Sequence, residues 1–493
     1  MVEKWSPIRH KNLGKTRDHA KERSPQMNIS RQIRRAQERA KQKDDTKLAR
    51  HLNLSDFRYV ADDKNMTYAA GAPQIIDFVK VTGLERSLRE HVQIDKRHSV
   101  YRSENLSQLL VLQNILGYGR IENSRRLDQD MILKTKLGLE RYPDPETFRD
   151  ELEKYTEENI GQLFLVNEDL LHVLTLVAGP QEVDLHYDAK VITVYGDQEK
   201  AEVGYNPHKK GRKSYLMKVC TMEPFGFIVA IRLESGDSVS ATDFLEFHRQ
   251  CLNAVPQNHF VVRTVRLDRG FFGEHMIESF AGDCLFFEVV AKQYASLKRW
   301  ISSIPEGDFE EFYPDGSVNG ASFSFALDSW EHSRDFIVVR KRIVGDSKGQ
   351  TYLFPHWRYQ VICHNQVDMS PKEVWEDYNQ RAKIELTIRD LQYDHFITKV
   401  PTGRFLSNFA YFWHSVLAFN LLLIFKTFVL TGEWKKARTT TLRQELIAVP
   451  GRLVNRSGQM VMRLMAGFPH AGVMSYVRER LLWLYRCLHP APA

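Results

Sequence analysis

The chain has 493 residues, 43% of them apolar and 27% charged, the composition of an ordinary globular protein with material for about three domains. Its net charge of +7 is uneven: residues 1–50 hold 15 Lys and Arg against 6 Asp and Glu, a balance of +9 that leaves −2 for the rest. Cys220, Cys251, Cys284, Cys363 and Cys487 form no CxxC pair, so neither a thiolate zinc site nor a disulfide framework is expected, and a reducing cytosol fits. The N-terminus has no apolar run of the secretory kind.

Residues 1–52 read as a basic arm. Ser30 is placed to cap a helix from about Arg31, with Arg31, Arg34 and Arg35 among cations on most faces. Lacking an apolar stripe, the arm is expected to be disordered alone. It would then order on DNA phosphates or remain a solvated tail. Residues 53–178 read as a helical domain, with Asp144 and Pro145 as cap and first turn of one helix. Asp144, Glu146, Asp150, Glu151 and Glu153 make that segment a poor face for DNA, so a scaffold role is expected.

Near residue 180 the pattern changes. "EVDLHYDAKVITVYG" reads as a strand, and "YLMKVCTMEPFGFIVAIRLES" as two strands about a Pro–Phe–Gly turn. A helix ("ATDFLEFHRQCLNAV"), a strand ("HFVVRTVRLDRG"), a short helix (273–280) and a strand ("CLFFEVVAK") follow. This order predicts a mixed α/β core over 179–300. Residues 301–365 break the rhythm as a β-rich insertion, and 366–430 resume the core. The apolar segment 405–430 is interrupted by Asn408, His414, Asn420 and Lys426, which favours a buried core helix over a membrane span. Residues 431–493 read as helical and partly basic, with Lys435, Lys436, Arg438, Arg443, Arg452, Arg456 and Arg463.

Within "YNQRAKIELTIRDLQYDHF" (378–396), a continuous helix would gather Tyr378, Arg381, Glu385 and Gln392 in an arc of roughly 60° beside Ile384, Ile388 and Leu391. Asp188 lies inside the first core strand, where an acid is costly unless paired or metal-bound. Asp268 closes a later strand, just before Gly270. Three carboxylates brought together repel unless cations neutralise them, and hard divalent ions suit such a set. Two such ions about 4 Å apart activate a water and stabilise the leaving oxygen of a phosphodiester. An acid at a strand end serves as often as a cap or ion-pair partner, so pattern alone leaves both roles open.

The order strand–Asp188, strand–Asp268, β insertion, helix–Glu385 resembles the RNase H-like catalytic core of the DDE transposases of bacterial insertion sequences. Tyr378, Arg381 and Glu385 match the first three places of Y-x2-R-x3-E-x6-K. "VITVYGDQEKAEVGYNPHKKGRKSY", "LDRGFF" and "LRQELIAVPGRLV" are similar to the insertion-sequence 1380-type enzymes over roughly 55–485. Gln392 stands in place of the Lys, Ala189 and Lys190 in place of a small residue and Thr, and His186 in place of a further acid.

The resemblance implies that Asp188, Asp268 and Glu385 hold two Mg2+ ions (Mn2+ being accepted), and that Tyr378, Arg381 and Gln392 meet the DNA backbone. It implies cleavage at terminal inverted repeats, joining of 3′-OH ends to target DNA, and a homodimer on DNA, with no membrane partner. From the residues alone, Tyr378 is equally a core-edge aromatic and Arg381 an ion-pair partner of Glu385. Lys209, Lys210, Arg212 and Lys213, in an expected hairpin, are a DNA contact or a solvated turn. A catalytically silent DNA-binding derivative and a metal-dependent nuclease are the alternatives.

Overall fold

The computed structural model describes residues 25–489 other than 54, 56, 58, 59, 97, 98, 208 and 346–350, with backbone alone for 25–30 and 351–355. The chain divides into two compact units, Met1–Asp63 and Lys64–Ala493. In the first, α1 (Pro25–His51) is helical and includes the helix expected from about Arg31. Ser30 lies inside this helix and does not begin it, because Pro25, whose fixed φ suits a first turn, starts it earlier. Residues 31–48 are all exposed, Arg31, Arg34 and Arg35 among them, and Arg34 pairs with Glu38 at 3.5 Å. The first 24 residues of the expected arm lie outside the described residues.

The second unit begins with helices α2 (Ala72–Thr82), α3 (Leu84–His91), α4 (Ser103–Ile115), α5 (Pro145–Leu152) and α6 (Glu157–Ala178). As the sequence predicts, Asp144 caps α5, its Oδ1 accepting from the Thr147 N–H at 3.2 Å. Thr156 and Asn159 close a reciprocal capping box on α6.

The sheet begins with β1 (Gln181–Thr193), β2 (Lys213–Glu223) and β3 (Phe227–Ser235). Helix α7 (Phe244–Ala254), β4 (Phe260–Leu267), α8 (Glu274–Gly282), β5 (Phe286–Val290) and α9 (Ala295–Ser303) complete its core. The strand order is β3-β2-β1-β4-β5; β2 runs antiparallel to both neighbours, and β1, β4 and β5 run parallel. This order and polarity make an RNase H-like core. The β-rich segment supplies β6 (Val318–Phe325), β7 (Arg334–Gly345) and β8 (Thr351–His364). It extends the same sheet, β8 pairing antiparallel with β5 so that Cys363 faces Val289.

The chain then enters α10 (Pro371–Tyr378), α11 (Ala382–Tyr393) and α12 (Phe405–Ile424). By length and composition α6 and the segment Phe405–Val429 could each cross a membrane, but 78% of the latter's most apolar window is buried inside the protein. Most of its polar interruptions find partners there, although His414 Nε2 has none among the described residues. Asn420 accepts from the Ile228 N–H at 3.0 Å and donates to Asn167 at 2.8 Å, docking α12 and α6 on strand β3. Asn408 bonds Thr402, His414 the Ala410 carbonyl, and Lys426 the Ala437 carbonyl.

The C-terminal region is not purely helical. Before α13 (Ala471–Leu488) it forms a hairpin, β9 (Gly451–Arg456) and β10 (Gln459–Arg463), which pairs with Met66–Thr67. The turn residues Ser457 and Gly458 have φ of 53° and 83°, the left-handed pair of a tight hairpin, flanked by the strand formers Leu453, Val454 and Val461.

Candidate active site

Strands β1 and β4 run parallel with Tyr187 opposite Leu267. Asp188 is the next residue along β1, and Asp268 follows directly on the end of β4 as the cap of a 3-10 turn, so the two acids sit side by side at neighbouring strand positions. Alternation puts Asp184, His186 and Asp188 on one face with Arg266 and Asp268. Leu185, Tyr187, Val265 and Leu267 fill the opposite, buried face. Local backbone fixes both acids: Asp188 Oδ1 accepts from the Ala189 N–H at 2.8 Å, and Asp268 Oδ1 from the Arg269 N–H at 2.7 Å. Burial pushes the Asp188 carboxyl up to about 6; Arg381 opposes that rise, and Asp268 and Glu385 add to it.

The segment carrying Tyr378, Arg381 and Glu385 is not the single helix that the spacing predicts. α10 ends at Tyr378, Asn379–Arg381 tighten into a 3-10 turn, and α11 starts at Ala382. The two halves serve different apolar clusters. Val374 and Tyr378 pack with Val318, Ile337, Val339 and Ile362, whereas Ile384, Ile388 and Leu391 join the main core.

Tyr378 is 6% exposed and its hydroxyl donates to the Leu267 carbonyl at 3.4 Å, so here it is a core-edge aromatic that ties α10 to the end of β4. Burial pushes its hydroxyl above the usual range. Arg381, 7% exposed, lies between two acids: Nη2 is 3.3 Å from Asp188 Oδ1 and Nη1 donates to Glu385 Oε1 at 2.9 Å. Its Nε is buried without a partner among the described residues. The Glu385 side chain is 60% exposed. The structure therefore brings Asp188 and Asp268 together and sets Glu385 across a guanidinium from them. Among the described residues, no three His, Cys, Asp or Glu side chains are gathered as a metal site.

Gln392 sits two turns beyond Glu385, partly buried, and no described contact ties it to the carboxylates. Lys209, Lys210, Arg212 and Lys213 do fall in a hairpin, between the short strand Glu202–Val203 and β2. Lys213 pairs with Asp197 at 2.9 Å, Lys209 lies 5.1 Å from the Tyr195 ring centre, and Lys210 and Arg212 are exposed.

Sequence reasoning missed a second charged cluster below the aspartates. Arg266, 1% exposed, donates to Glu288 at 2.9 Å, Asp184 at 2.7 Å and Asp377 at 2.5 Å, and lies 3.0 Å from His186 Nε2. Gln366 completes the shell on Glu288 at 2.8 Å. The Glu288 carboxyl is fully buried and pushed up to about 8 by desolvation, which its attraction to Arg266 only partly offsets. A visible signal existed: Glu288 interrupts the apolar run "FFEVV", and Arg266 falls two residues before Asp268, on the same strand face.

A family model described as transposase DDE domain group 1 matches residues 52–485. A comparison with curated proteins gives no significant match. Among solved structures, the chain is similar to one described as a piggyBac transposase synaptic complex with hairpin DNA. The identity is 10%, 87% of this chain and 83% of that one are covered, and the TM-score is 0.38. With the family model spanning nearly the whole second unit and both acid-bearing strands, the chain belongs to the transposase DDE domain group 1 family.

Proposed function

We propose that the chain cleaves phosphodiester bonds at the terminal inverted repeats of a mobile element and joins the 3′-OH ends to target DNA. The observation that carries this reading is the pair Asp188 and Asp268 on adjoining parallel strands, with Glu385 supplied from α11 across the same face. DDE transposases use divalent metal ions, and this donor set fits one chemically. Its oxygens are hard, and Asp188 is held in a raised-pKa state that a cation would relieve. Asp188, Asp268 and Glu385 would hold Mg2+ or Mn2+, two ions per site in this reading. When bound, such ions make a water or 3′-OH nucleophilic and neutralise the leaving oxygen.

The remaining work falls to the protein's own groups. Arg381 bridges Asp188 and Glu385 in the DNA-free chain; a backbone phosphate, offering a bidentate partner, draws the guanidinium away and releases both acids. Tyr378 holds α10 on Leu267, so Arg381 stays above Asp188 until then. Lys209, Lys210 and Arg212 give a cationic loop for the DNA backbone, as do Arg31, Arg34 and Arg35 on α1, and Gln392 takes a neutral, hydrogen-bonding contact. A homodimer on DNA and a cytoplasmic location complete the reading.

The Arg381 bridge also favours a second reading, a DNA-binding derivative in which the guanidinium permanently replaces the cations. Incubating the chain with Mg2+ and a duplex bearing the repeats separates the two. Nicking at the repeat boundary supports the transposase; binding without cleavage in Mg2+ and Mn2+ supports the derivative.

A further inference from the structure

The hairpin β9–β10 carries a charge pattern that the proposed catalytic site leaves unused. From residue 446 to residue 478 the chain contains no Asp or Glu, while Arg452, Arg456, Arg463 and Arg478 are all present. Register then sorts these side chains. Arg452 faces Arg463, Val454 faces Val461 and Arg456 faces Gln459, so alternation gathers all three hairpin arginines and Gln459 on one side of the ribbon. All four are exposed. Arg456 and Arg463 form no ion pair among the described residues. Like charges directly opposite across a ladder, as in Arg452 and Arg463, oppose folding of an isolated hairpin, so the ribbon has to be held by something else.

It is held at its base. Arg452 and Gly451 extend the pairing onto Met66–Thr67, and the Leu453 N–H donates to the Asn65 carbonyl at 2.8 Å. A Cβ on Gly451 would sit 2.8 Å from Ala70 Cβ and 2.9 Å from Met462 Sδ, and one on Gly71 would sit 2.0 Å from the Leu446 carbonyl oxygen. Gly71 thus serves close backbone approach, and Gly451 leaves room for the Ala70 and Met462 side chains. The arginine face is presented on a fixed two-stranded ribbon with a tight Ser457–Gly458 turn at its tip. Guanidiniums pair bidentately with phosphates, so such a face suits the backbone of a duplex.

We infer that the face formed by Arg452, Arg456, Gln459 and Arg463 is a duplex-DNA contact that grips phosphates rather than reading bases. This rests on the transposase reading for the nature of the polyanion, but not on the chain's catalytic competence. Binding of fluorescently labelled duplex, with and without terminal-repeat sequence, is to be measured by anisotropy over a salt series. The proteins are the wild type, Arg456→Ala/Arg463→Ala, and the charge-matched control Arg249→Ala/Lys298→Ala on exposed helical positions. The hairpin variant is expected to bind both duplexes about tenfold more weakly, with a salt slope shallower by roughly 2, while the control keeps wild-type values. Loss confined to the repeat sequence would overturn phosphate gripping. Equal weakening in the control would overturn a local site, and wild-type affinity in the hairpin variant would overturn the proposal while leaving the transposase reading intact. A duplex bound through the hairpin but never cut would leave the hairpin in place and remove the catalytic reading.

Discussion

Two clusters of charge share one face of the sheet and differ in how they are neutralised. The lower one surrounds Arg266 with Glu288, Asp184 and Asp377, so one guanidinium meets three carboxylates at hydrogen-bonding distance, with Arg266 and Glu288 buried and the two aspartates partly open to solvent. The upper one has Asp188, Asp268 and Glu385 with Arg381 alone, half-open to solvent through Glu385. Both hold an excess of negative charge. In the lower cluster, hydrogen bonds to every member fix the geometry; in the upper, Asp268 has only its backbone contact and Arg381 retains an uncommitted Nε. The difference separates a clamp from a site with capacity to take a cation and a phosphate.

Removing the clamp is the most severe test. Arg266→Met strands Glu288, Asp184 and Asp377 without their cation and is expected to cost about 3–5 kcal/mol, because a buried pair broken on one side leaves an uncompensated charge. Urea unfolding at neutral pH measures it. A cost near zero would mean that the lower cluster does not differ from the upper in the way described.

The upper cluster is expected to respond to pH. The folded-state carboxyl of Asp188 lies at about 6, above its ordinary value near 4, so between those values the folded chain keeps a proton that the unfolded chain has lost. Stability attached to this group is therefore present at low pH and lost as pH rises through that window. Asp188→Asn removes the dependence, so its unfolding free energy should gain on the wild type by about 2 kcal/mol between pH 4 and pH 7.5 in EDTA. Parallel curves would contradict the raised carboxyl. Mg2+ should recover part of this difference as a higher melting temperature in the wild type and not in Asp268→Asn.

The smallest effect is expected on the basic loop. Lys213→Ala removes an exposed pair with Asp197, which solvent already screens, so no change in melting temperature is expected. The contrast with Arg266 then spans both extremes of charge burial on one sheet.

How much of this was legible in sequence depended on which forces placed each residue. Strand identity over 181–290 followed from alternation and β-branched runs, and the aspartates from their position in those strands. The 3-10 turn between α10 and α11 was not legible from spacing alone, nor was the packing of Tyr378 and Ile384 into different apolar clusters, which is set by tertiary contacts. The hairpin at 451–463 was hidden by its helical surroundings, although Ser457–Gly458 between short apolar runs is a turn signal. The Arg381 bridge was anticipated only as a four-residue pair with Glu385; its reach to Asp188 required the fold.

The central claim is that Asp188, Asp268 and Glu385 act on DNA as one metal-holding set. Single-turnover cleavage of a repeat-bearing duplex in Mg2+, with DNA occupancy measured in parallel, tests it for the wild type, Asp268→Asn and Glu385→Gln. Each variant should lose roughly a thousandfold or more in rate, the several kcal/mol that a cation supplies to developing charge, at nearly unchanged DNA affinity. Cleavage by Glu385→Gln at the wild-type rate would contradict the account.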